Sequence, residues 1–207
     1  MILKAKHNFF IYTFFQWYAL WLIKRKFSKV NIIGNFNEKN LPVLLIANHI
    51  SWWDGFWAMY LNLKILKRKF HFMMLEEQLR KFWLFNYTGG FSVNKKAKSV
   101  IETLNYAGEL LIDSANMVLI FPQGEIQSMH LQSFQFEKGI NHILRSKDET
   151  IQILFMANLV DYFSTPKPIV NIYIEGYQGL PFIFESIQNG YNEFYQRCVE
   201  NQKGLKK

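Results

Sequence analysis

Three short stretches of the chain carry residues able to do chemistry. The first is Asn48-His49-Ile50-Ser51-Trp52-Trp53-Asp54, directly after the apolar run PVLLIA at 42–47. A histidine just past a buried strand stands where a loop meets a helix, the usual setting of catalytic side chains. Asp54 follows five residues later, near enough for one tight turn to bring its carboxylate against the imidazole. A carboxylate there fixes the tautomer and stabilises the imidazolium, which would make His49 a general base oriented by Asp54. On spacing alone, a polar loop histidine followed by a helix-capping aspartate fits equally well. Trp52 and Trp53 suit a greasy substrate channel or simple core.

The second stretch, Phe121-Pro122-Gln123-Gly124-Glu125, closes the apolar run MVLIF at 117–121. Pro122 ends a strand ladder, and Gly124 lets backbone N–H groups approach an anion or a developing oxyanion. Such a turn is weak evidence by itself. The third, Gly89-Gly90-Phe91-Ser92-Val93-Asn94-Lys95, is a glycine turn that runs through a strand into cations at a helix start. There Lys95, Lys96 and Lys98 could hold a phosphate near the helix N-terminus, or be ordinary surface lysines.

The elements that must position these residues alternate along the chain. Strands are predicted at 29–34, 42–47, 70–75, 90–93, 117–121, 151–156 and 169–175 from β-branched and apolar runs bounded by turn residues. Helices are predicted at 53–64, 77–86, 96–113, 140–146 and 182–200. The helix at 96–113 is the clearest, since Ala97, Val100, Ile101, Leu104, Ala107 and Leu111 follow helical spacing. Alternation of this kind gives an α/β fold, a mixed central sheet flanked by helices. No repeat, low-complexity linker or second domain is visible, so 28–207 reads as one domain.

The 207 residues are half hydrophobic and only 19% charged, which argues against disorder. Aromatic residues make up 17%, an excess beyond what a core requires, and Trp and Tyr favour boundaries that are dry on one side and wet on the other. The net charge of +8 attracts nucleic acid, anionic lipid or acidic substrates alike. The aromatic excess favours lipid, and no nucleic-acid-binding module is present. A single cysteine, Cys198, rules out an intrachain disulfide or a cysteine zinc cluster, and the five histidines form no paired metal-ligand motif. No metal or other cofactor is expected. Absence of a Gly-x-Ser-x-Gly elbow argues against a serine lipase.

Residues 1–27 read as a membrane-associating amphipathic helix. The run FFIYTFFQWYALWLI at 9–23 is uncharged, preceded by Lys4 and Lys6 and followed by Lys24, Arg25 and Lys26. As a helix it spans roughly 22 Å, short of the ~30 Å hydrocarbon core of a bilayer. It is expected to lie in the interface, with Tyr12, Thr13 and Gln16 as a narrow polar stripe and the cations reaching phosphates. A buried helix is the alternative. The basic segment KILKRK at 64–69 is either another headgroup-facing patch or a solvated loop.

Together the three stretches resemble the blocks of the glycerolipid acyltransferase family, the group containing lysophosphatidic acid acyltransferase. Asn48, His49 and Asp54 match its Asn-His-x4-Asp block fully. Gly89 to Asn94 match the glycine–strand–Asp/Asn block, with Lys95 in the arginine place. Phe121, Pro122 and Gly124 match the Phe-Pro-Glu-Gly block, and Phe136-Glu137-Lys138-Gly139 resembles the segment that follows it. The resemblance covers roughly residues 41–140 and implies transfer of an acyl group from a thioester of coenzyme A or acyl carrier protein to a lipid hydroxyl. It also implies membrane lipids as partners, a monotopic or peripheral place on the cytosolic face of a membrane, and a role in phospholipid biosynthesis. It assigns catalysis to His49 and Asp54, and substrate binding to Asn48, Gly89, Asn94, Lys95, Phe121, Pro122, Gln123, Gly124, Glu125 and Lys138. Three positions depart from the family: Gln123 replaces glutamate, Glu125 replaces threonine and Ile126 replaces arginine. Loss of the guanidinium fork that would grip phosphate, with an acidic group beside its place, weakens the case for a glycerol-phosphate acceptor and leaves a glycosylated lipid or an acylated amino acid open. A hydrolase with the same dyad and a catalytically inactive lipid-binding relative are the rival readings.

Overall fold

The computed structural model of the chain describes residues 2–94, 97–145, 147 and 150–205. The elements run α1 (Phe9–Lys26), β1 (Lys29–Ile33), β2 (Val43–Ala47), α2 (Asp54–Leu61), β3 (Lys69–Leu75), α3 (Glu76–Lys81), β4 (Gly90–Val93), α4 (Ala97–Leu110), β5 (Asn116–Ile120), α5 (Ile140–Leu144), β6 (Gln152–Asp161), β7 (Ile169–Gly176) and α6 (Phe184–Lys203). Among the described residues the strands form one seven-stranded sheet in the order β1-β7-β6-β2-β5-β3-β4. All neighbours are parallel except β6 and β7. This is the expected mixed sheet flanked by helices. β2, β5, β3 and β4 point the same way, so the segments after Ala47, Ile120, Leu75 and Val93 all emerge at one edge.

Alternation along the strands divides the core into two layers. Val43, Leu45 and Ala47 face a layer that includes Met117, Leu119, Leu154, Met156 and the inner faces of α1 and α2. Leu44 and Ile46 face the layer built from α4, α5 and α6, with Val118, Ile120, Phe155 and Tyr191. A strand covered on both faces reads as a continuous apolar run, which is why PVLLIA and MVLIF were legible as central strands.

Several elements differ in extent from the sequence reading. The helix expected over 77–86 breaks at Phe82 into α3 and a 3-10 turn, Trp83–Tyr87. The helix from 53 gives way after Leu61 to a π-turn, Asn62–Leu66, and Lys67 takes φ 52°. Asn62 clips this turn, its side chain bonding both the carbonyl and the N–H of Arg68. The basic segment 64–69 is thus the connection into β3, at the sheet edge opposite His49, with Arg68 paired to Glu38. β6 extends to Asp161, five residues past the expected end, because β7 pairs with it over Leu154 to Asp161.

Two residues of the polar stripe of α1, Tyr12 and Gln16, face the protein. Tyr12 takes the N–H of Phe70 on its hydroxyl at 3.2 Å, and Ala19, Leu22 and Ile23 are buried. Thr13 is exposed, and the outward ridge is aromatic: Phe9, Phe10, Phe14, Trp17 and Trp21. Burying a hydroxyl against a waiting backbone donor is favourable, whereas an indole or phenyl ring has no such partner there. Asn8 caps the helix by accepting from the N–H groups of Phe10 and Ile11. Among the described residues no helix is long and apolar enough to cross a membrane.

Residues 2–8 form a strap across β4 and the turn before it. Leu3 and Ser92 exchange hydrogen bonds, the N–H of Gly89 donates to Lys6 O, and the N–H groups of Lys6 and Asn8 donate to the carbonyls of Asn86 and Tyr87. The His7 ring meets that of His71 at 4.8 Å in an edge-to-face contact. Burial, reinforced by the nearby charge of His7, pushes the His71 imidazole down to about 4, although a hydrogen bond with Asn116 opposes this.

Candidate active site

The site forms at the shared carboxyl edge, where open α/β sheets bind ligands. β2 ends at Ala47, and Asn48 anchors the departing chain. Its side chain donates to Asn158 O at 3.1 Å and accepts from Asn158 N–H at 2.8 Å. Asn48 is fully buried, so its contribution is to fix the loop against β6.

His49 follows with its Nδ1 at 2.8 Å from Asp54 Oδ2. Asp54, the first residue of α2, is 0% exposed, and the same oxygen accepts from the N–H groups of Ile50 and Ser51 at 2.7 and 2.9 Å. The three donors converge because the loop folds back over the helix start. Burial pushes the Asp54 carboxyl above the usual carboxylate range, and the hydrogen bond from His49 is the largest of the opposing effects. An acceptor at Nδ1 selects the tautomer that leaves Nε2 as a base. Nε2 has no hydrogen-bond partner among the described residues, and the side chain is 25% exposed. The ring stacks on Phe121, 4.2 Å between centroids and 11° from parallel, so it is held on its face as well as at Nδ1.

The turn after β5 supplies the rest. Gln123 is buried and its Oε1 accepts the backbone N–H of His49 at 2.6 Å. Its amide nitrogen donates to Gln127 Oε1 at 2.9 Å, and the backbone N–H of Gln127 returns to His49 O at 2.8 Å. Both backbone polar groups of His49 are therefore bound by this turn. Gly124 takes φ 73°, which glycine adopts without strain, and its N–H closes the turn onto Phe121 O. Pro122 O receives the N–H of Glu137, which brings the 136–139 segment alongside, with Lys138 exposed there. α6 holds this long loop: Asn192 binds both backbone groups of Phe134, Gln188 accepts from Phe136, and the Tyr195 hydroxyl donates to Met129 O.

The structure brings together His49, Asp54, Phe121, Pro122, Gln123, Gly124, Glu125 and the Lys138 segment. Asn94 lies on the same edge but three strands along, where its amide bonds Glu76. Gly89 stands before β4, away from this edge. A Cβ there would lie 1.9 Å from Phe70 O and 2.8 Å from the His7 ring, so the packing of β3 and the strap requires glycine. Lys95 and Lys96 lie outside the described residues. Of the two tryptophans, Trp53 packs edge-to-face on Phe27 in the core, and Trp52 is exposed beside the dyad. Gln127, Gln188 and Asn192 were not singled out from sequence; an isolated polar side chain carries no signal for a partner that distant in the chain.

A histidine–carboxylate dyad at the carboxyl edge of a mixed α/β sheet, with a glycine turn beside it, is an arrangement suited to group transfer or hydrolysis. The comparison with known families narrows that choice. The Acyltransferase family model matches residues 29–157, and the chain belongs to that family. Among solved structures, the fold is similar to that of the 1-acyl-sn-glycerophosphate (LPA) acyltransferase PlsC from Thermotoga maritima, with a TM-score of 0.58 and 18% identity over 92% of this chain and 79% of that one. No curated protein matches the sequence.

Proposed function

We propose that the protein transfers a fatty acyl group from a thioester of coenzyme A or acyl carrier protein to a hydroxyl of a lysophospholipid-like acceptor at a membrane surface. The observation that carries this reading is the 2.8 Å contact between His49 Nδ1 and buried Asp54, with Nε2 left without a partner among the described residues, in a member of the Acyltransferase family. His49 Nε2 takes the proton from the acceptor hydroxyl as its oxygen attacks the thioester carbonyl. Asp54 stabilises the imidazolium formed in that step. The oxyanion is received by backbone N–H groups following Gly124, since Gly124's own N–H already closes the turn. The tetrahedral intermediate then collapses; the carbon–sulfur bond breaks and the imidazolium returns its proton to the leaving thiolate. The exposed aromatic ridge of α1 supports the membrane setting, as do the cations that flank the helix.

The test is incubation of purified protein with an acyl thioester and lysophosphatidate in mixed micelles, with products identified by mass spectrometry. Thiol release together with a diacylated product is expected. Free fatty acid without any acylated acceptor would establish a hydrolase instead. Glu125 and Ile126 beside the turn favour a second acceptor class, a lipid hydroxyl without phosphate, which the same assay resolves when a glycosylated lipid and an N-acyl amino acid are offered.

A further inference from the structure

The turn between α3 and β4 exposes three consecutive large apolar side chains, Phe82, Trp83 and Leu84, at 47%, 58% and 50%. A soluble surface seldom carries such a run without a partner. The turn is firmly built: Phe85 packs against Phe15 of α1 and against Phe72, and the N–H groups of Phe82 and Phe85 are bonded. The strap places it next to the start of α1, because the N–H groups of Lys6 and Asn8 bind Asn86 and Tyr87. The patch thus adjoins the outward Phe9 and Phe10. Cations border it: Lys81 lies over the Phe82 ring at 5.5 Å and Lys6 over the Tyr87 ring at 5.4 Å, while exposed Arg80 is paired with Glu76.

We propose that Phe82-Trp83-Leu84 is a second membrane-inserting element, separate in sequence from α1, and that it seats the protein on an anionic phospholipid bilayer. Rings inside a rim of lysine and arginine suit the headgroup boundary, with the apolar tips entering acyl chains and the cations meeting phosphates. The patch widens the membrane seat beyond the outward ridge of α1, at the end of the helix where Phe9 and Phe10 stand. The proposal rests on the membrane reading given above.

Cysteine labelling tests it on the full chain. Cys198 is buried and its thiol is pushed up to about 12, so a maleimide carrying an environment-sensitive dye reaches introduced cysteines first. Dye is placed at Trp83→Cys, at Trp17→Cys on α1, and at Ile112→Cys as a control on an exposed turn. Vesicles of phosphatidylcholine with phosphatidylglycerol should shift the emission to the blue at positions 83 and 17 and leave 112 unchanged. Replacing Phe82, Trp83 and Leu84 by serine together should lower partitioning into these vesicles by roughly thirty- to one-hundred-fold, and Lys81→Gln by about fivefold. A shift at 17 without one at 83 would overturn the second contact and leave the membrane reading standing; no shift at either would overturn both. A shift at 112 as well would mean indiscriminate adsorption, and a shift at 83 that follows protein concentration without lipid would assign the patch to a second copy of the chain. Either result refutes the proposal.

Discussion

Replacing Asp54 by asparagine separates the catalytic role proposed for it from its role in the fold. In the native protein one buried oxygen accepts from His49 Nδ1 and from two backbone N–H groups. The amide oxygen of Asp54→Asn can keep the backbone donors, so the loop should hold its shape. What disappears is the negative charge opposite the imidazolium. Two unit charges about 4 Å apart in an effective dielectric near 20 interact by about 4 kcal/mol, or about 10³-fold in rate. The amide oxygen in that place still accepts from Nδ1 and keeps the tautomer, so kcat should fall by about 10³-fold from the lost charge alone. Stability should move the other way. Burial raises the carboxyl in the folded state, so ionising Asp54 disfavours folding; the native protein loses stability as pH rises through the unfolded and then the folded value. The variant lacks that loss and should be at least as stable as the native protein at neutral pH, with the difference vanishing in acid. Thiol release measures the first effect, and urea unfolding at several pH values the second. A kcat within tenfold of native, or a loss of more than about 2 kcal/mol of stability at pH 7, would refute the reasoning.

Other outcomes follow from the same geometry. His49→Ala should abolish acyl transfer while leaving the urea midpoint nearly unchanged, because the ring is partly exposed and its backbone bonds to Gln123 and Gln127 persist. Gln123→Ala should leave the His49 N–H without its acceptor, costing about 1–3 kcal/mol in denaturation and lowering kcat, with Gln123→Glu restoring most of both. Buried His71 has a folded value of about 4 against an ordinary 6.5, so its contribution to stability is complete above pH 6.5 and lost as pH falls toward 4. That loss amounts to about 3 kcal/mol, and pH-dependent unfolding should show a shallower acid limb in His71→Leu. Gly124→Ala should fold with a cost of about 1 kcal/mol, since the added carbon meets only the flexible Glu137 side chain, whereas Gly89→Ala should express as unfolded protein because it strikes the Phe70 carbonyl.

What could be read from the sequence was local. β2 and the centre of β5 were legible because both strands are buried among neighbours and show little but apolar residues to the reader. The dyad was legible because its partners lie five residues apart and one turn closes the gap. Gln123 was legible as a departure, but its acceptor role toward a backbone N–H 74 residues away was not. The packing reason for Gly89, the approach of Phe70 and His7, comes from two distant segments and leaves no local trace. Periodicity found the two faces of α1 but could not orient them, since the choice depends on a donor, Phe70 N–H, that only the assembled sheet presents.

The strap has a consequence for handling the protein. β4 is the last strand at its end of the sheet, and an uncovered strand edge is a template on which other chains can pair. Residues 3–6 occupy part of that edge through Ser92 and Gly89. Trimming the first eight residues would strip this cover and leave His71 beside a hole where His7 stood. Recombinant protein should therefore stay monodisperse with a purification tag at its C-terminal end and aggregate once the leading residues are removed.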